Sequence, residues 1–255
     1  MALHAFLEHD GVLAFAHRGD HAAGPENTLA AFEGALRLGF RYLETDVHVT
    51  RDGVLLAFHD AELDRVTDHS GLIANLNYQQ VRTARVAGRE PIPLLEDLLG
   101  MFPGARINVD PKSDAAVDPL IDAIRRTGSE SRVCVGSFYG KRLIKVRNAL
   151  PTICTSMARA ETAWARFASL GLPWRGGAAA CAQVPVWWNG IPVVDRLFIR
   201  AMHARQIPVH VWTINEADEM HRLLDLGVDG LMTDNPHLLK SVLETRGLWG
   251  PPTVW

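Results

Sequence analysis

Eight times along this chain a short apolar run gives way to a stretch of helical period. The runs fall at residues 12–16, 42–49, 106–109, 132–138, 152–157, 176–186, 208–214 and 230–233. Parallel neighbours in a sheet need a crossover of about a dozen residues or more, and a helix supplies it. Eight such units in 255 residues predict an α/β fold, a (β/α)8 TIM barrel, within one domain over 1–255. A doubly wound open sheet is the rival. It usually offers a Gly-rich phosphate loop after the first strand, and the segment from His17 to Gly24 is not one.

The helical stretches carry their own punctuation. Asn27 is expected to cap the first helix, Leu29, Phe32 and Leu36 to form its core stripe, and Gly39 to stop it. Further helices are predicted over 94–101, 115–127, 141–149, 161–170, 195–205 and 216–226. Pro236 opens a last one, with Leu238, Leu239, Val242 and Leu243 on one face. Residues 54–58 extend the second strand after the turn at Asp52-Gly53. Residues 60–93 break the rhythm, being polar, rich in turns and too long for an ordinary connection. They read as a small insertion after the second strand, lying over the site. The Trp187-Trp188-Asn189-Gly190 stretch reads as irregular, and the tail from Trp249 to Trp255 as non-helical.

Composition narrows the function. Hydrophobic residues are 47% of the chain, enough for a large core. A net charge of -3 gives no global attraction to nucleic acid or to an anionic membrane. No run approaches the roughly 18 apolar residues of a membrane span, and residues 1–10 lack the h-region of a signal peptide. Cys134, Cys154 and Cys181 are odd in number and far apart, so they read as buried free thiols of a reduced cytoplasm. A cytoplasmic protein with no stable membrane insertion and no nucleic-acid partner is expected.

The second run carries the chemistry. Side chains alternate across a strand, so Glu44, Asp46 and His48 share one face and Leu43, Thr45 and Val47 the other. Two carboxylates and an imidazole make a poor buried face unless a cation meets them. A divalent metal is the simplest candidate, and oxygen ligands favour Mg²⁺ or Ca²⁺ over Zn²⁺. His17, Arg18, Glu44, Asp46, His59, Asp110, Lys112 and Trp212 all fall at the C-terminal ends of runs, where barrels of this kind build their sites.

His17-Arg18-Gly19, then Pro25 to Thr28, Glu44 to Val47, Asp52-Gly53 and His59-Asp60 occur in an order and at gaps that resemble the glycerophosphodiester phosphodiesterase family. Asp110-Pro111-Lys112, Ser137-Phe138, Val211-Trp212-Thr213 and the segment from Asp229 to Pro236 agree, so the likeness covers nearly the whole chain. The resemblance implies metal-dependent hydrolysis of glycerophosphodiesters to glycerol 3-phosphate and an alcohol. It implies His17 and His59 as the acid–base pair, in either assignment, since imidazole titrates near neutrality. A glycerol hydroxyl attacks phosphorus in the mechanism proposed for such enzymes, and water opens the cyclic phosphate. Glu44 and Asp46 are the expected metal ligands with Asp110 as the third, where the family usually carries glutamate. Arg18 and Lys112 would take phosphate oxygens, and Trp212 would wall the glycerol. Glu26 is placed beside Arg18 or the metal, His48 behind the site and His21 in the loop. Two rival functions are a lysophospholipase D-type phosphodiesterase and a non-catalytic barrel serving as a binding module. The insertion scatters its apolar residues singly among charges such as Asp64, Arg65, Asp68 and Arg82, which favours small, water-soluble substrates.

Overall fold

Each apolar run becomes one stave of a barrel in the computed structural model, which describes residues 4–174 and 176–250. The staves are β1 (Leu13–His17), β2 (Tyr42–Val49), β3 (Arg106–Pro111), β4 (Val133–Val135), β5 (Cys154–Thr155), β6 (Ala182–Pro185), β7 (Val209–Trp212) and β8 (Gly230–Thr233). They pair in parallel in the order β5-β4-β3-β2-β1-β8-β7-β6. A parallel bridge between Ser156 and Cys181 closes the remaining seam. Ala180 N–H to Thr155 O at 2.8 Å and Met157 N–H to Cys181 O at 3.0 Å support it. The (β/α)8 barrel is therefore the fold.

Eight helices wrap it: α1 (Leu29–Arg37), α2 (Leu95–Met101), α3 (Val117–Thr127), α4 (Gly140–Ala149), α5 (Arg159–Ser169), α6 (Arg196–His203), α7 (Ala217–Leu226) and α8 (Pro236–Thr245). Their apolar stripes meet the outward residues of the strands in one continuous core, which includes Phe32, Leu43, Val47, Ile107, Val109, Leu231 and Leu243. Burying this much apolar surface is the main stabilising term. The barrel's lower end is filled by Phe6 and Leu7, and the Tyr42 hydroxyl donates to Phe6 O at 2.9 Å.

Several local expectations are corrected. Thr28, not Asn27, caps α1, its hydroxyl accepting from Ala31 N–H at 3.3 Å. Asn27 takes a left-handed φ of 56°, which asparagine tolerates better than most residues, and accepts from the Thr45 hydroxyl at 2.7 Å. Leu55–Ala57 is not an extension of β2 but folds back antiparallel onto it. The Trp187–Trp188 and Ile191–Pro192 pairs form a small hairpin, whose turn residues Asn189 and Gly190 both have positive φ. That backbone suits the Asn-Gly dipeptide of a two-residue hairpin loop. The tail expectation lies mostly outside the described residues: Trp249 and Gly250 are non-helical, and 251–255 are not described. Apolar residues of the insertion are not idle. Leu63, Ile73, Val81, Val86 and Ile92 pack with Leu56 and Phe58 into a satellite core beside the barrel.

Candidate active site

Strand register decides which side chains meet at the mouth. His17 pairs across the ladder with Glu44, Glu44 with Asn108, and Asp46 with Asp110. Leu43, Thr45 and Val47 face outward and are fully buried, so Glu44 and Asp46 are driven into the barrel, 5% and 2% exposed. All eight residues expected from the sequence line one cavity of about 230 Å³: His17, Arg18, Glu44, Asp46, His59, Asp110, Lys112 and Trp212. His48 stands behind them, its Nε2 2.9 Å from His59 O, and His21 is exposed on the loop.

Both histidines are held in the same way. His17 Nδ1 lies 2.6 Å from Asp234 Oδ1, and His59 Nδ1 lies 2.5 Å from Asp60 Oδ1. A carboxylate on Nδ1 fixes the ring and its tautomer and leaves Nε2 for chemistry. Burial opposes the imidazolium of His17, but Glu44, 3.5 Å from its Nε2, and Asp234 outweigh that and raise its pKa. Burial likewise opposes the Asp234 carboxylate, yet hydrogen bonds from His17 and Asn215 bring it down to about 2. Asp60 falls to about 2 chiefly through Arg65, which also bonds both oxygens of Glu26. Glu26 in turn accepts from Arg18 at 3.0 Å. A chain of hydrogen bonds and ion pairs thus runs from His59 through Asp60, Arg65 and Glu26 to Arg18, and ties the insertion to the loop after β1. As a positioning residue, Asp234 predicts its own test. Asp234→Asn should cut kcat by at least about tenfold with KM little changed, because the amide no longer selects the His17 tautomer. An unchanged kcat would remove Asp234 from that role.

Glu26 lies beside Arg18 as expected, whereas Asp234 and Arg65 were not among the expected site residues. Asp234 follows β8 just as His17 ends β1, so the strand-end rule points to it, but a lone aspartate says nothing before its partner ring is known. Asn108 and Gln183 form part of the cavity floor with Gly136, where a Cβ would come within 3.3 Å of Gln183 Oε1 and Ser156 Oγ.

Carboxylates outnumber what the site's cations satisfy. Lys112 Nζ sits 2.6 Å from Asp46 Oδ1 and 2.9 Å from Asp110 Oδ2. Arg18 Nε is 3.3 Å from Asp46 Oδ2. Even so, burial and then the Asp46 charge push Glu44 up to about 8, and burial pushes Asp110 up to about 6. Burial works against the Lys112 ammonium, but Asp110 and Asp46 outweigh it and raise its pKa. Glu44 Oε2 and Asp46 Oδ2 are buried without a hydrogen-bond partner. Two buried carboxylate oxygens that accept no hydrogen bond, and meet only His17 at 3.5 Å and Arg18 at 3.3 Å, fit a hard divalent cation. Asp110 fits less directly. Its Oδ2 is taken by Lys112, and among the described residues its oxygens do not join Glu44 and Asp46 in one tight triplet.

Toward solvent the cavity opens into a wider one of about 810 Å³, between the insertion and the loop after β4. Asp60, Glu62, Asp64 and Arg65 stand on one side, Phe138, Tyr139 and Arg142 on the other.

A barrel mouth that gathers imidazoles, carboxylates and cations suits hydrolysis of a phosphate ester. The sequence pattern of the Glycerophosphoryl diester phosphodiesterase family matches residues 17–238, and the chain belongs to that family. It is an enzyme of that class, a phosphoric diester hydrolase, and its reaction is that of the family. A probable glycerophosphodiester phosphodiesterase 2 of Mycobacterium tuberculosis is 40% identical over 251 residues, spanning 96% of this chain and 95% of that one. In fold, the chain is similar to a putative glycerophosphoryl diester phosphodiesterase from Silicibacter pomeroyi, with TM-score 0.82 and 23% identity over 96% and 99% of the two chains. An Oleispira antarctica phosphodiesterase, solved with the product sn-glycerol-3-phosphate, gives TM-score 0.76 at 23% identity over 92% and 97%. The family is generally dependent on a divalent metal. Among the described residues no helix is long and apolar enough to cross a membrane.

Proposed function

We propose that this enzyme, as one cytoplasmic domain, cleaves small water-soluble glycerophosphodiesters such as glycerophosphocholine and glycerophosphoethanolamine to glycerol 3-phosphate and the free alcohol. The observation that carries the reading is the pair of histidines, each steadied at Nδ1 by an aspartate and facing one cavity with the buried carboxylates. One imidazole takes the proton from the attacking oxygen and the other gives one to the leaving alkoxide. Arg18 and Lys112 meet the phosphate oxygens, whose charge grows in the transition state. Glu44 and Asp46 would hold Mg²⁺ or Ca²⁺, with Asp110 joining through the oxygen that Lys112 does not take. That cation, when bound, supplies Lewis-acid stabilisation of the phosphoryl group.

Two features support the substrate. Asn108 Oδ1 and Gln183 Nε2, in residues lining the cavity, are buried without partners, an acceptor and a donor suited to glycerol hydroxyls. Trp212 walls the same space for the carbon chain. The outer cavity adds Glu62 and Asp64, which suit a cationic alcohol such as choline or ethanolamine. Glu62→Gln with Asp64→Asn should raise KM for glycerophosphocholine while leaving that for an uncharged head group unchanged, and equal KM changes would exclude this assignment.

A second reading, lysophospholipid cleavage, is favoured by one observation. Trp187 and Ile191 on the hairpin are about 60% exposed, and Trp188 packs against Phe138 at the cavity edge. A glycerol 3-phosphate dehydrogenase-coupled assay of kcat/KM separates the two. Preference for the small diesters supports the first reading. A tenfold preference for the lysophospholipid, about 1.4 kcal/mol of transition-state stabilisation, would replace it with the second.

A further inference from the structure

A second group of metal-ligating side chains lies inside the barrel, below the active site. Cys134 is the middle residue of β4, Cys154 opens β5 and Cys181 immediately precedes β6; all three are buried free thiols. The β4–β5 register sets Cys134 beside Cys154, and the seam bridge, which pairs Cys181 with Ser156, brings Cys181 alongside them. Far apart in the sequence, their sulfurs lie within 4.8 Å of one another, with Cys134 and Cys181 at 4.0 Å. A tetrahedral metal with metal–sulfur bonds of about 2.3 Å spaces its sulfurs about 3.8 Å apart.

Packing alone would explain three buried thiols, since a cysteine behaves as a small hydrophobe. It does not explain His210. This residue of β7 is fully buried with its ring against Phe15, and neither ring nitrogen has a hydrogen-bond partner of ordinary geometry. Leaving both nitrogens of a buried imidazole unsatisfied is costly, and a native structure rarely accepts it without a use. The β6–β7 ladder pairs Val209 with Ala182 and so sets His210 near Cys181, outside the tight triplet.

We propose that Cys134, Cys154, Cys181 and His210 form a buried structural site for a soft divalent cation of the zinc type, separate from the oxygen-lined catalytic site. With the His210 ring drawn in to the triplet, three thiolates and one imidazole would complete a four-coordinate sphere with no open position, which is the pattern of structural rather than catalytic zinc. As each sulfur–metal bond forms, the thiol proton passes to solvent, so uptake releases protons without any redox change. The placement also has a physical consequence. The four ligands come from consecutive staves and straddle the β5–β6 seam, which one bridge closes and where β5 has two residues. A metal there would staple the weakest joint of the barrel.

The test uses the whole chain, expressed with zinc and dialysed against EDTA to strip the catalytic cation. Elemental analysis should find about one zinc per chain, since the closed four-ligand sphere resists the chelator. Glu44→Ala with Asp46→Ala should keep it, and Cys134→Ser with Cys181→Ser should lower it at least about tenfold. In case that double variant fails to fold, wild type refolded with Co²⁺ alone gives an independent reading. A thiolate-to-cobalt charge-transfer band with intense tetrahedral ligand-field absorption supports the site, and His210→Gln should keep the former while changing the latter. Less than a tenth of a zinc per chain in folded wild type, three titratable thiols and no cobalt–thiolate band would show that the cysteines are packing only.

Discussion

His17→Ala is expected to lower kcat/KM by at least about 10²-fold, the usual worth of one general acid or base, and His59→Ala by a similar factor. The reason is geometric. Each ring is anchored at Nδ1 by an aspartate, at 2.6 Å for His17 and 2.5 Å for His59, so each presents Nε2 in a fixed direction. Neither can stand in for the other, because they rise from different elements, one ending β1 and the other following the antiparallel return of β2. The fold should survive both changes. Each histidine is only half-buried at the mouth, above the apolar core that holds the barrel together. Removing His17 also removes a cation from beside Glu44, which should appear as altered metal affinity in that variant and not in His59→Ala. Steady-state kinetics beside thermal melts check this. A variant that keeps near wild-type turnover takes its histidine out of the mechanism, and one that melts far below wild type makes the loss structural.

What the sequence could disclose depended on whether a signal was local. Period-two alternation placed Glu44 and Asp46 on the inner face of β2 because Leu43, Thr45 and Val47 had to face the helices. Strand-end position brought His17, Asp110 and Lys112 to the same cavity for the same reason. Partners set by closure of the ring were not legible. Asp234 reaches His17 only because β8 pairs with β1, and Cys181 joins Cys134 and Cys154 only because β5 and β6 close the seam. Strand lengths failed where function intervenes. The run 132–138 is paired only over Val133–Val135, because Ser137 and Phe138 leave the ladder to line the cavity. The Asn189-Gly190 turn was the opposite case, a local hairpin signal present in the chain but overshadowed by the two tryptophans. Asp110 shows the limit of reading by analogy. Its shorter arm points to Lys112, a choice that the place in the sequence alone does not reveal.

Exhaustive chelation is expected to abolish turnover, and Mg²⁺ or Ca²⁺ to restore it, whereas Glu44→Gln should stay inactive whatever metal is added. The same substitution should make the metal-free protein more stable. Burial and the nearby Asp46 push Glu44 up to about 8 despite His17 at 3.5 Å, and its Oε2 accepts no hydrogen bond, so the ionised group is a liability without a bound metal. The sign follows from linkage. A carboxylate whose pKa is raised by folding favours the native state below its unfolded pKa, about 4.3, and that contribution is lost as pH rises through the folded value. Metal-free wild type should therefore lose Tm between about pH 5 and pH 8 relative to Glu44→Gln, whose amide does not titrate. Added metal should close the gap by raising the wild-type Tm and leaving the variant nearly unmoved, since binding stabilises only the protein that binds. Thermal melts at the two pH values, with and without metal, together with elemental analysis, make the check. Full activity after chelation with no catalytic metal left, or an equal Tm gain from metal in both proteins, would mean that Glu44 does not hold the cation.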